Sequence, residues 1–256
     1  MEHIFDTHAH YDDAAFDADR EELLNNLPSQ GVELAVDLAT DLVTSARIMK
    51  LTEQYDYLYA GFGIHPEQAG EERKGDLDTI KTFLQDCPKA VAVGEIGLDY
   101  HYDDGAPRET QIDLFARQLE LANELDLPVV VHDRDAHQDT LDLLKQYKPK
   151  GVVHAFSGSV EMMRDVLDLG MYIGLGGVVT FKNAKKPKKV AAVVPLDRLV
   201  LETDAPYMTP VPFRGKRNDS SMIAHTAECI AELRGMDAQE LVDICNKNGR
   251  DLYGIH

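Results

Sequence analysis

The sequence predicts a (β/α)8 TIM barrel, an α/β fold in one domain spanning residues 1–256. Three observations point to it. The chain has 256 residues, close to the ~250 usual for such a barrel. Short apolar runs rich in Val, Ile and Leu alternate with charged segments of helical period. Histidines and carboxylates gather at the ends of those runs, where barrels of this kind carry their active sites.

The apolar runs come in the order "HIFDTHAH", "ELAVDLAT", "LYAGFGIH", "AVAVGEIG", "LPVVVHD", "GVVHAF", "MYIGLGG" and "RLVLETD". Nearly continuous apolar strands suit a parallel sheet covered by helices, and eight of them suit a closed barrel better than an open sheet. "DLVTSARIMKLTEQ" follows the second run, "RETQIDLFARQLELANEL" the fourth and "HQDTLDLLKQY" the fifth, each with helical spacing of apolar residues. Residues 221–235 and 237–252 read as C-terminal helices.

Hydrophobic residues make up 44% and charged residues 28%, with no Pro/Gly/Ser-rich linker, low-complexity block or repeat. No run approaches the ~20 apolar residues of a membrane span, and the first residues lack a secretory signal, so a cytoplasmic protein without membrane contact is expected. Cys87, Cys229 and Cys245 are odd in number and show no CxxC spacing. Neither a disulfide framework nor a thiolate zinc site is expected, and any metal must use His and carboxylates. A monomer with no obligate protein partner is the expected state.

The net charge of −19 argues against a protein that coats nucleic acid electrostatically. Positive charge is nevertheless local: "KNAKKPKK" carries five lysines between Lys182 and Lys189, and "FRGKRN" adds Arg214, Lys216 and Arg217. Such runs can be solvated surface. They can also bind phosphate, because they follow strands seven and eight of the predicted barrel.

In that barrel His8 and His10 close the first strand, His65 the third, Glu95 the fourth, His132 the fifth, His154 the sixth and Asp204 the eighth. Each residue alone has an ordinary structural use. Asp204 can cap the "TDAP" turn, and Glu95 can serve a barrel ion pair, although the glycines of "GEIG" suggest that something approaches the backbone closely. Together they suit two divalent cations of the zinc, manganese, magnesium or nickel kind. The division by charge gives one ion to His8, His10 and Asp204 and the other to His132 and His154, with Glu95 between them. Glu202, two residues before Asp204, can orient a ligand from behind.

"DTHAH", "GIHPE", "VGEIGLDYH", "VVVHDRDAH", "VVHAFSGS", "YIGLGGVVTFKNAKK" and "LVLETDAPYMTPVPFRGKRN" resemble, in order, the motifs of the TatD family of metal-dependent hydrolases, within the amidohydrolase-like TIM barrels. The resemblance runs from about residue 4 to residue 253. It implies one metal on His8, His10, Glu95 and Asp204 and a second on Glu95, His132 and His154. It also implies a substrate contact for His65 and a metal-dependent deoxyribonuclease, with 3′→5′ exonuclease action on single strands and DNA as the bound partner. The catalytic residues would be Asp204 and Glu95, and Arg214, Lys216 and Arg217 would join His65 in holding phosphate. A water oriented or deprotonated by Asp204 would attack phosphorus in line, with no covalent protein intermediate. Ser157 and Ser159 of "FSGS" lack the GxSxG elbow and read as caps of the following helix. Two rival readings are an amidohydrolase acting on a small-molecule amide or ester, and a non-catalytic metal-binding scaffold.

Overall fold

A computed structural model describes all 256 residues. Eight strands form one sheet in the order β1 to β8, and every neighbouring pair is parallel. The strands are β1 (Ile4–Ala9), β2 (Val32–Leu38), β3 (Leu58–Phe62), β4 (Ala90–Asp99), β5 (Val129–Arg134), β6 (Gly151–Val153), β7 (Tyr172–Leu175) and β8 (Leu199–Leu201). The helices are α1 (Arg20–Asn26), α2 (Leu42–Gln54), α3 (Asp76–Asp86), α4 (Arg108–Leu125), α5 (His137–Tyr147), α6 (Val160–Asp168), α7 (Lys185–Val193), α8 (Ile223–Arg234) and α9 (Ala238–Tyr253). This is the predicted TIM barrel. The segments expected as helices from their periodicity are α2, α4, α5, α8 and α9.

Two apolar layers follow from the period-two alternation of the strands. Ala35, Val93, Val129, Val131, Ile173 and Leu201 belong to the larger cluster, shared with the surrounding helices. Val36, Leu38, Val130, Val152 and Val200 belong to a smaller cluster with Phe5. Counting two residues onward from Val130, Val152 and Val200 reaches His132, His154 and Glu202. The alternation that packs the second cluster therefore carries polar side chains to the mouth.

β1 and β8 meet at a weak seam, where Ala9 and Ala205 form a single bridge. Backbone hydrogen bonds from Asp204 N to His8 O (2.9 Å) and from His10 N to Ala205 O (2.7 Å) close the mouth side. Asp6 ties the same region: Oδ1 accepts from the amides of His8 (3.2 Å) and Thr203 (3.0 Å), and Oδ2 accepts from the hydroxyls of Thr203 (2.6 Å) and Ser220 (2.7 Å). Helix α9 staples the rest. Asn246 donates to His3 O (2.8 Å), Asn248 to Leu196 O (2.6 Å) and Leu199 O (2.7 Å), and the Tyr253 hydroxyl to Thr7 O (2.8 Å).

The close approach expected at the "GEIG" glycines is present, and a neighbouring strand makes it. Gly97 has φ +145°, and a Cβ there would lie 2.0 Å from His132 O. It is strand β5 that approaches this backbone, next to a register shift between Val93 and Ile96. No helix is long and apolar enough to cross a membrane, and all three cysteines are free.

Candidate metal centre

All five predicted histidines and both carboxylates converge on the barrel mouth. His8 lies on β1 and His10 just beyond it; Glu95 lies within β4 and His132 within β5. His154 follows β6 and Asp204 follows β8. His65 caps the single turn Pro66–Gln68 after β3, its Nδ1 accepting from Glu67 N at 3.2 Å. Apart from His132, which is partly exposed, these side chains are buried.

One group of atoms has the dimensions of a tetrahedral cation site. His8 Nε2 and His10 Nε2 are 3.1 Å apart, each is 3.4 Å from Glu95 Oε2, and they stand 3.5 and 3.4 Å from Asp204 Oδ1. A tetrahedron with metal–ligand bonds of ~2.0–2.1 Å has ligand–ligand separations of ~3.3–3.4 Å, so the two histidines stand at suitable distances from each other and from either carboxylate oxygen, and His8, His10 and Glu95 together have metal-site spacing. Asp204 reaches this position with φ +58°, a left-handed conformation that Asp tolerates better than most residues.

A second group uses the other oxygen of Glu95. Oε1 lies 2.9 Å from His132 Nδ1 and 2.8 Å from His154 Nε2, and the two nitrogens are 3.4 Å apart. His65 Nε2 stands 3.7 Å from the same oxygen, and His65, Glu95 and His132 together also have metal-site spacing. His65 is thus near enough to touch either an ion or a substrate.

The backs of two rings are fixed by acceptors. His10 Nδ1 donates to Leu38 O at 2.8 Å, and His132 Nε2 donates to Asp99 Oδ2 at 2.9 Å, so the front nitrogens keep their lone pairs for a cation. Asp99 was missed in the sequence. Its signal is its place in "GEIGLDYH", four residues after Glu95 and on the same strand face. Glu202 stands behind His154 as expected, but its Oε1 accepts from Ala155 N and is 3.8 Å from His154 Nδ1, beyond a direct bond.

Without an ion, His10 and His132 carry the positive charge. Burial opposes charge on His132, yet Asp99 and Glu95 push its pKa up to about 10. Burial likewise opposes charge on His10, and Asp204 and Glu95 still hold it well above the usual histidine range. His8 is pushed down to about 4 by burial and by His154. Burial works against ionisation of Glu95, but His154, His8 and His65 hold its carboxyl well below the ordinary range. The carboxylates are ionised and surrounded by nitrogens that would give up protons to a cation.

The basic run after β8 divides. Arg214 stacks on Phe181 at 4.1 Å and Lys216 on Phe213 at 5.5 Å, and neither has a carboxylate partner. Arg217 is different. It lies over Phe16 at 4.7 Å and is held by Asp19 (2.6 and 2.7 Å) and Ala15 O (2.9 Å), so its charge is paired within the protein. Most of the lysine run lies exposed on and before α7. Ser159 caps α6, accepting from Met162 N at 3.3 Å; Ser157, expected to share that role, does not cap it.

A family model described as TatD related DNase matches residues 5–254. The metal-dependent hydrolase YabD of Bacillus subtilis is 43% identical over 99% of this chain and 100% of its own. The metal-dependent hydrolase YcfH of Escherichia coli is 34% identical over 98% of this chain and 96% of its own. The crystal structure of YjjV, a TatD homolog from Escherichia coli, superposes with a TM-score of 0.93 at 36% identity, covering 99% of both chains.

Proposed function

Since the chain belongs to the TatD family of metal-dependent hydrolases, we propose that it is a divalent-metal-dependent phosphodiester hydrolase, a deoxyribonuclease removing nucleotides from the 3′ ends of single strands. The observation that carries this reading is the split of Glu95, whose Oε2 faces His8 and His10 while Oε1 faces His132 and His154. A carboxylate placed in that way would be shared between two ions. His8, His10, Glu95 and Asp204 would hold one, and Glu95, His132 and His154 the other.

A pair of divalent cations supplies an acidified water and neutralises charge on a phosphoryl group. The chain's residues do the rest. Asp204 engages the histidines through Oδ1, which leaves Oδ2 to orient the attacking water and take its proton. His65 contacts the phosphoryl group beside Glu95, and Asp99 keeps His132 aimed. Arg214 and Lys216, free of carboxylates, hold phosphates farther along the strand. Their local positive charge acts within a Debye length of ~8–10 Å, although the remainder of the chain is acidic.

The test is turnover of end-labelled oligonucleotides after loading with Mn²⁺ or Zn²⁺, set against a panel of amides, esters and lactones. Shortening from the 3′ end supports the proposal. Turnover confined to the small molecules would replace it with an amidohydrolase, and metal binding with no turnover of either would leave a scaffold.

A further inference from the structure

His8 and His154 lie face to face, with ring centroids 3.9 Å apart and planes 12° from parallel. Their Nε2 atoms address the two oxygens of one carboxylate: His8 is 3.4 Å from Glu95 Oε2 and His154 is 2.8 Å from Oε1. The Nδ1 atoms of both rings point away from Glu95. Both are buried and have no partner, and Glu202 Oε2 is likewise buried and unpartnered. His8, His154 and Glu202 bring ligand-type atoms within 4.8 Å of one another. Buried polar atoms are nearly always paired, so three orphans in one place call for a common explanation. Gly174 lets the carboxylate sit there, since a Cβ at that position would lie 2.3 Å from Glu202 Oε2.

The chemistry of the rings decides what belongs there. A neutral imidazole that gives Nε2 to a metal carries its hydrogen on Nδ1. Both Nδ1 atoms then become donors, and Glu202 Oε2 is the unpaired acceptor beside them. A third cation would require both rings to be imidazolates, each shared between two metals. A water needs no such ionisation, and it can reach Glu202 where His154 Nδ1, 3.8 Å from the already engaged Oε1, makes no direct bond.

Resting on the two-metal reading above, we infer that Glu202 is a positioning residue shared by both halves of the metal centre. Through one buried water it accepts from the Nδ1–H groups of His8 and His154. Glu95 joins the two ions in front of the rings, and Glu202 joins the two ligands behind them. The other back-side acceptors serve one ring each: Asp99 holds His132 and Leu38 O holds His10.

Zn²⁺ titration calorimetry of wild type, Glu202→Gln and Asp99→Asn tests this. In Glu202→Gln the remaining carbonyl oxygen stays with Ala155 N–H and an amide NH₂ turns toward two N–H donors. Affinity for both ions should fall by about 10–100-fold, whereas Asp99→Asn should weaken one ion alone. In imidazole-tuned ¹H–¹⁵N spectra of the zinc-loaded wild type, the Nδ1 protons of His8 and His154 should be protected from exchange, and both should shift in Glu202→Gln. Normal zinc binding by wild type with one ion unaffected in Glu202→Gln would overturn the inference alone. Wild type that binds no zinc would overturn the metal reading and this inference with it. If Glu202→Gln does not fold, the wild-type spectrum decides, and absence of the two protected protons counts against the shared anchor.

Discussion

Arg217 and Asp19 face each other in a two-pronged ion pair, Nη1 to Oδ1 at 2.6 Å and Nη2 to Oδ2 at 2.7 Å. The pair joins the segment after β8 to the one before α1 and consumes a positive charge that the sequence offers to substrate. Its neighbours Arg214 and Lys216 rest on aromatic rings instead. The same short run thus contains a brace and two free cations.

The double variant Arg214→Ala/Lys216→Ala should raise KM about tenfold while changing kcat little. The slope of log KM against log salt should become shallower by ~1.4, the loss of two phosphate contacts on a single strand. Arg217→Ala should leave that slope alone and lower stability only slightly, because the pair is largely exposed. A salt slope that changes with Arg217 rather than with the other two would reverse the assignment.

Removal of metal with a chelator should abolish turnover, and Mn²⁺ or Zn²⁺ should restore it. Glu95→Ala takes the acceptor away from both donor sets, so two ions would repel each other across the gap with no charge between them. Its activity should fall by at least ~10²-fold with the far-ultraviolet circular dichroism of the barrel unchanged. Near-normal turnover by a folded Glu95→Ala protein would return Glu95 to a structural ion pair.

Asp204→Asn keeps one ligand oxygen and loses the proton-accepting carboxylate. The ion on Glu95, His132 and His154 should remain, the other should weaken, and cleavage should nearly stop. Single-turnover assays on a 3′-labelled strand at saturating Mn²⁺, with metal content measured on the same sample, check this. Wild-type rates with both ions bound would exclude Asp204 as the base and direct attention to His65.

Burial pushes the Asp6 carboxyl up to about 6, against hydrogen bonds from Ser220 and Thr203 that favour its ionised form. The folded protein therefore holds that proton more tightly than the unfolded chain, whose aspartates titrate near 3.8. The Asp6 contribution is fully present below about pH 4 and is lost as pH rises through 6, a change of roughly 3 kcal/mol. Urea unfolding of metal-free protein between pH 4 and 7 should show a flatter profile for Asp6→Asn than for wild type. Asp6→Ala, which strands two amides and two hydroxyls, should cost ~3 kcal/mol or more across the range. Parallel profiles for wild type and Asp6→Asn would place the titration elsewhere.

The strands were legible because each is a nearly unbroken Val/Ile/Leu run, and α2, α4 and α5 because their apolar residues recur at helical spacing. Helix α7 was obscured: its first half is lysine with Pro187, and its apolar side is short. The convergence of His8, His10, His65, Glu95, His132, His154 and Asp204 was legible because strand exits in a barrel share one rim. What stood behind the rim was not. Asp99 reads as a polar strand end until β5 lies beside it, and the Arg217–Asp19 pair joins residues 198 positions apart. The "GEIG" glycines announce a close approach without saying whether it is by a ligand or, as with Gly97 and His132 O, by a neighbouring strand.

The seam between β1 and β8 also orders events in time. Asp6 and Thr203 are 197 positions apart, so His8 and His10 leave the ribosome long before the segment that aligns them with Asp204. The donors on β4, β5 and β6 close shorter loops, at a smaller entropic cost. A growing chain that meets an ion can therefore offer Glu95, His132 and His154 early, while the half built on His8, His10 and Asp204 waits for α9 to clamp the two ends of the barrel.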